Sequence, residues 1–121
     1  MAKGKRKFLD ILDRRPLLLD GATGTELQKR GMPPGVSPEL WCAENPGVIA
    51  GVHRDYARAG ADAVYTCTFG ANRFKLEPNG AAQVRSLNRR LALIARQAVG
   101  ADVLVVGDIG PTGRFIRPFG E

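Results

Sequence analysis

Three short apolar runs punctuate the chain, LLL at 17–19, AVY at 63–65 and VLVV at 103–106, and each gives way to small and polar residues. None alternates apolar with polar, so each suits a parallel strand buried on both faces. Between the runs the apolar spacing becomes helical. Val48, Ile49, Val52 and Tyr56 form one stripe, opened by Asn45 as N-cap with Pro46 in the first turn and closed by Gly60. A second stripe, Val84, Leu87, Leu91, Ile94 and Ala98, predicts a helix over about 82–99 with Arg85, Arg89 and Arg96 on its other side. A short helix is expected at 8–12, and Trp41 and Cys42, after Pro38, are expected to pack a long loop against the barrel.

The pattern repeats. Writing ARAGADAVYTCTFG above QAVGADVLVVGDIG aligns the two GAD triplets at an offset of 40 residues. Val64 then meets Leu104, Thr66 meets Val106, Thr68 meets Asp108 and Gly70 meets Gly110. Both copies read as helix, glycine stop, strand and glycine-containing loop. Strands alternating with amphipathic helices predict βα units with right-handed crossovers. Three such strands recur at 40 to 45 residues, whereas a (β/α)8 barrel needs eight in about 250 residues. The expected fold is therefore α/β, the N-terminal portion of a (β/α)8 TIM barrel with parallel strands. Residues 1–16 would be a basic tail and short leading helix, and 17–121 an incomplete barrel domain that stops before its third covering helix. A small open parallel sheet is the alternative.

Composition narrows the function classes. With 44% hydrophobic and 25% charged residues in 121, this is the make-up of a globular domain. No apolar run reaches the roughly 18 residues of a membrane span, and MAKGKRKFLDILDRR lacks the apolar centre of a secretory signal. Cys42 and Cys67 lie 25 positions apart without a CxxC, which predicts no disulfide framework and a cytoplasmic setting. Of the net charge of +6, Lys3, Lys5, Arg6 and Lys7 gather at the start. Without stacked aromatics, finger spacing or an RNP-like motif, they read as a disordered solubilising tail rather than a nucleic-acid site.

Chemistry collects where the strands end, as ligands do in parallel α/β architectures. The three ends read DGATGT from Asp20, TCTFGAN from Thr66 and GDIGPTG from Gly107. Alternation along a strand is expected to put Leu18 and Asp20, Val64, Thr66 and Thr68, and Leu104, Val106 and Asp108 on one side. Asp20, Thr68 and Asp108 would then converge on one mouth. Asp20 could accept from an ammonium group as a charge-assisted pair. The N–H groups of Gly21, Ala22 and Thr23 could hold a carboxylate, approached closely because glycine has no side chain. Taken singly, each feature has a plainer reading. Asp20 and Asp108 cap turns, Gly110 to Gly113 make a tight turn, Cys67 is a buried structural thiol, and His53 is a partly exposed helix residue. Their coincidence at three strand ends favours a pocket for an amino acid.

The segments LLLDGATGTELQKRG, ENPGVIAGVHRDYARAGADAVYTCTFGANRFKL and GDIGPTGRF resemble, in that order, the N-terminal part of the homocysteine S-methyltransferase family. That family includes the homocysteine-binding barrel of cobalamin-dependent methionine synthase and betaine–homocysteine methyltransferase. The resemblance implies a (β/α)8 barrel in which Asp20 receives the homocysteine ammonium and the Gly21 and Ala22 amides its carboxylate. It places Thr66 to Phe69 at the substrate mouth, with Cys67 at a variable position. It also implies Zn2+, which stabilises a thiolate at neutral pH, on cysteines of later strands; Cys42, Cys67 and His53 have no matching spacing. A methylcorrinoid fed by methyltetrahydrofolate is the implied methyl source, through corrinoid- and folate-binding domains or proteins. The reaction expected of the complete protein is methyl transfer to homocysteine, giving methionine. A non-catalytic module that needs a complementary chain is the alternative. No catalytic residue and no metal ligand is assigned to this segment.

Overall fold

Ala63–Tyr65 (β1) and Leu104–Val106 (β2) pair in parallel in the computed structural model, which describes residues 3–78 and 81–120. Met1 and Ala2 of the basic tail, and Glu121 at the end of the 17–121 unit, lie outside those residues. Six α-helices accompany the sheet among the described residues: Lys3–Leu12 (α1), Gly24–Lys29 (α2), Pro38–Glu44 (α3), Pro46–Arg58 (α4), Arg73–Leu76 (α5) and Val84–Val99 (α6). The fold is thus α/β with two parallel strands.

The first apolar run does not become a strand. It meets β1 in a single parallel bridge, Leu19 to Ala63. The bridge is made by the Asp20 N–H donating to the Ala63 carbonyl at 3.1 Å and the Ala63 N–H to the Leu18 carbonyl at 3.4 Å. The next rung would take the Tyr65 N–H to the Asp20 carbonyl. The Asp20 carboxylate takes it instead, Oδ2 accepting at 3.2 Å. A side chain has displaced the ladder, and pairing stops where the predicted site begins.

The ladder also corrects the faces. Ala63 lies beside Leu104, Val64 beside Val105 and Tyr65 beside Val106, one residue out of step with the alignment on GAD. Leu104 and Val106 therefore share a face with Ala63 and Tyr65, opposite Val64, because a one-residue slip reverses every side chain. The register is fixed by the Leu104 N–H on the Asp62 carbonyl and the Thr66 N–H on the Val106 carbonyl, both at 2.8 Å. A sequence repeat carries no record of these bonds.

The two predicted stripes pack on each other. Ile49 and Val52 of α4 and Leu87 and Leu91 of α6 are all less than 5% exposed and share a core with Leu27 and Met32. α4 and α6 end at Gly60 and Gly100, whose φ values of +108° and +69° are costly for residues with a Cβ. Three expectations fail locally. The basic start is helical from Lys3, where a disordered tail was expected. The region of Trp41 and Cys42 is helix α3 rather than loop, begun by Ser37 and Pro38. Asn45 makes no side-chain cap for α4; its Nδ2 donates to the Trp41 carbonyl at 2.9 Å and finishes α3. No helix among the described residues is long and apolar enough to cross a membrane.

The end of the sheet away from the predicted site is tied by the first GAD aspartate. Asp62 accepts from Arg15 at 2.6 and 2.7 Å and from the Leu18 N–H at 2.9 Å. The Arg15 hydrogen bond, ahead of the Leu18 bond, holds its carboxyl well below the usual carboxylate range.

His53 departs most from its predicted exposure. It is 2% exposed, and neither ring nitrogen has a hydrogen-bond partner among the described residues. Burial pushes its pKa down to about 4 because the imidazolium would lose its hydration. The unfolded chain, with a histidine pKa of about 6.5, therefore takes up a proton before the folded chain does. Stability is undiminished above that value and falls progressively as the pH drops toward 4, by about 3 kcal/mol in all. Urea midpoints measured between pH 7 and 4 should show this loss, and His53→Leu should flatten it.

Candidate functional site

The three strand-end segments enclose one cleft of about 340 Å3, in the size range of small-molecule sites. Asp20, Gly21, Thr23, Thr66 and Asp108 line it, together with Tyr65, Cys67, Phe69 and Glu39. Ala22 and Thr68, predicted with them, are not at its wall. Three carboxylates and no lysine or arginine face this cleft among the described residues, although the chain carries a net charge of +6. The field in the cleft therefore favours a cationic group.

Asp20 stands where the ladder stops. One carboxylate oxygen, Oδ2, accepts the Tyr65 N–H, while Oδ1 is buried without a partner among the described residues. Burial raises its pKa first, and the nearby charge of Asp108 adds to the rise against the bond from Tyr65. A buried carboxylate oxygen without a donor is costly, and an ammonium group would supply the missing partner.

The loop after Asp20 is held from behind by α4. Tyr56 donates from Oη to the Ala22 carbonyl at 2.7 Å. A Cβ on Gly21 would lie 3.0 Å from the same Oη, so glycine is what lets the loop seat against the ring. In a trans peptide the C=O and the following N–H point in opposite directions. Holding the Ala22 carbonyl toward Tyr56 turns the Thr23 N–H away from it. No described group accepts from the N–H of Gly21, Ala22 or Thr23.

The threonines tie the loop after β1 to the loop after β2, Thr66 at the cleft wall and Thr68 behind it. Thr68 Oγ1 donates to the Asp108 carbonyl at 2.7 Å, and the Asp108 N–H donates to Thr66 Oγ1 at 3.1 Å. The two hydroxyl oxygens are 2.6 Å apart. Since each hydroxyl has one proton, Thr66 donates to Thr68. Both threonines are buried, and the Thr68 hydroxyl as donor and the Thr66 oxygen as acceptor join the loop after β1 to the loop after β2. Asp108 enters this network through its backbone, leaving its carboxylate to the cleft.

The cysteines, 25 positions apart in sequence, meet in the core with their sulfur atoms 3.8 Å apart. The hydrogen bond with Cys42 and then burial push the Cys67 thiol far above its ordinary range, so it stays a thiol. A zinc site needs deprotonated ligands, usually four. No group of three or more His, Cys, Asp or Glu among the described residues could hold a metal, and the thiol pair does not fit Zn2+.

Sequence patterns did not single out Glu39 or Tyr65, and assigned Tyr56 to an apolar stripe only. Glu39 is the first-turn acid of α3 in the structure, and nothing in Ser37-Pro38-Glu39 as a sequence reports a contact 31 residues away.

Comparison with known proteins gives these positions a context. The family model for Homocysteine S-methyltransferase matches residues 17–120. The chain is 38% identical over 127 residues to homocysteine S-methyltransferase of Escherichia coli (strain K12), covering 92% of this chain and 40% of that protein. It is 38% identical over 121 residues to methionine synthase of Mycobacterium tuberculosis, covering 86% and 10%. Against betaine–homocysteine S-methyltransferase 1 of Rattus norvegicus identity is 32%, over 94% of this chain and 30% of that one. Among solved structures, the metallated form of the homocysteine methyltransferase MmuM from Escherichia coli matches with a TM-score of 0.76 at 34% identity, over 88% of this chain and 42% of that one. The chain thus spans two fifths or less of the length of these curated relatives.

Proposed function

Because the chain belongs to the homocysteine S-methyltransferase family, we propose that it supplies the amino-acid-binding side of a homocysteine (β/α)8 barrel. The complete protein would transfer a methyl group to the homocysteine sulfur, forming the S–CH3 bond of methionine as the donor–CH3 bond breaks and the thiol proton is lost. The observation that carries this reading is Asp20, with one carboxylate oxygen fixed by the Tyr65 N–H and the other buried and unpartnered. The homocysteine ammonium would complete it. The free N–H groups of Gly21, Ala22 and Thr23 would take the carboxylate, leaving the side chain to extend into the cleft past Thr66 and toward Asp108.

Zn2+ belongs to this reading only through residues beyond those described here, because Cys42 and Cys67 do not fit it. The segment DIGPTGRF and the likeness to a methionine synthase support a methylcorrinoid recharged from methyltetrahydrofolate as donor, presented by corrinoid- and folate-binding domains or proteins. A cytoplasmic location accords with two free thiols.

A second reading draws on the apolar side chains after β2. Ile109, Phe115, Ile116 and Phe119 are each at least 74% exposed, a surface suited to burial against a complementary chain. Calorimetry of homocysteine binding to the chain, with and without Zn2+, separates the two. Zinc-independent binding with a Kd of about 1 mM is expected. A folded chain that gives no heat in either condition would overturn the binding role and favour assembly.

A further inference from the structure

Glu39 is 6% exposed, carries no salt bridge among the described residues, and faces the cleft from the first turn of α3. A buried carboxylate without a counter-charge is expensive unless its oxygens are satisfied. Both of them are. Oε2 accepts from Ser37 Oγ at 3.1 Å, within the same turn, and Oε1 accepts the Gly70 N–H at 2.7 Å, across the fold.

The bond to Gly70 fixes more than one atom. The Phe69–Gly70 peptide is trans, so directing the Gly70 N–H toward Glu39 turns the Phe69 carbonyl the opposite way. There it meets Gly110: a Cβ on that residue would collide with the Phe69 carbonyl oxygen and crowd the Phe69 ring. One peptide plane is therefore gripped by Glu39 on one side and seated on Gly110 on the other. A side chain on Gly70 would also press on Glu39, whose Oε1 is 3.0 Å from the position of a Cβ. The grip joins α3, the loop after β1 and the loop after β2, and it orients Phe69 at the cleft wall.

We propose that Glu39 is the positioning residue of the cleft, acting through the Phe69–Gly70 peptide to set the spacing between the two loops that face Asp20. Its effect on ligand rests on the homocysteine reading above; its effect on the peptide does not. A role as an acceptor differs from a role as a charge, and Glu39→Gln separates them, since glutamine keeps an oxygen for the Gly70 N–H. Two readouts on the full chain decide: hydrogen exchange of the Gly70 amide by NMR, and homocysteine affinity by calorimetry.

In Glu39→Ala the Gly70 amide should exchange about tenfold faster and homocysteine bind about tenfold more weakly, as for loss of one strong hydrogen bond. Glu39→Gln should stay within about threefold of the parent in both. Unchanged Gly70 exchange in the alanine variant would overturn the proposal. So would a glutamine variant that loses affinity as fully as alanine while Gly70 stays protected, which would make Glu39 a charge and not a positioner. If Glu39→Ala does not fold, Gly110→Ala tests the same peptide from its other side with Glu39 intact, and should expose Gly70 as well; protection retained there overturns the grip. If the parent chain shows no homocysteine heat, the functional reading fails, and Gly70 exchange still decides the positioning role.

Discussion

Asp20→Ala is expected to remove measurable homocysteine binding from the chain. Truncating one partner of a buried, hydrogen-bonded charge pair costs about 2–5 kcal/mol, which takes an already weak site beyond detection by calorimetry. Asp20→Asn gives the sharper result. Asparagine keeps the shape and an acceptor for the Tyr65 N–H, and removes only the charge. It should lose binding like alanine, yet strengthen the unliganded fold at neutral pH. The sign follows from the raised pKa of Asp20, caused first by burial and then by Asp108. The stability contributed by a group whose folded pKa lies above its unfolded value is present below the unfolded value and lost as pH rises through the folded one. Ionised Asp20 therefore weakens the empty protein, and the neutral amide relieves that. Urea midpoints of the two proteins without ligand check the stability, and titrations check the binding. An asparagine variant that binds homocysteine like the parent would remove the ammonium pair from the account.

Leu91→Ala is expected to cost about 2–5 kcal/mol of folding free energy, because it combines lost apolar transfer with a cavity that close-packed neighbours fill only in part. Leu91 is 1% exposed, in the core shared with Ile49 and Val52 of α4. A domain's whole stability is about 5–15 kcal/mol, so this one change can consume most of it. The same layer holds Tyr56 behind the Asp20 loop, and loosening α4 against α6 should release that loop before the sheet parts. Denaturant unfolding should show the lower midpoint. Faster exchange of the amides of residues 21–24 at denaturant concentrations below the transition would report the loop. A Leu91→Ala protein as stable as the parent would mean that α4 and α6 do not form the supporting layer.

Helical apolar spacing located α4 and α6, and continuous apolar runs located β1 and β2, because a helix buries one stripe and a parallel strand can bury both faces. The alignment of the repeats paired Thr68 with Asp108, and these two are hydrogen-bonded in the structure. It could not give the strand register, which depends on which carbonyl each N–H reaches across the sheet. Nor could the apolar run at 17–19 show that it would pair by a single bridge, since a local pattern does not say whether a carboxylate or a carbonyl will win the Tyr65 N–H. His53 was expected to be partly exposed because a helical position shows which stripe a residue joins, not what packs on it.

The sequence by itself determined the α/β alternation and three of the segments that line the cleft, through residue types whose backbone preferences and polarity act locally, and its motifs carried the resemblance to the family. Tertiary structure alone decided the sulfur contact of Cys42 and Cys67, the hold of Tyr56 on Ala22 and that of Glu39 on Gly70. Each joins groups at least 25 positions apart in the chain, and hydrogen bonds reach only about 3 Å, so only the packing of one element on another brings such partners within range.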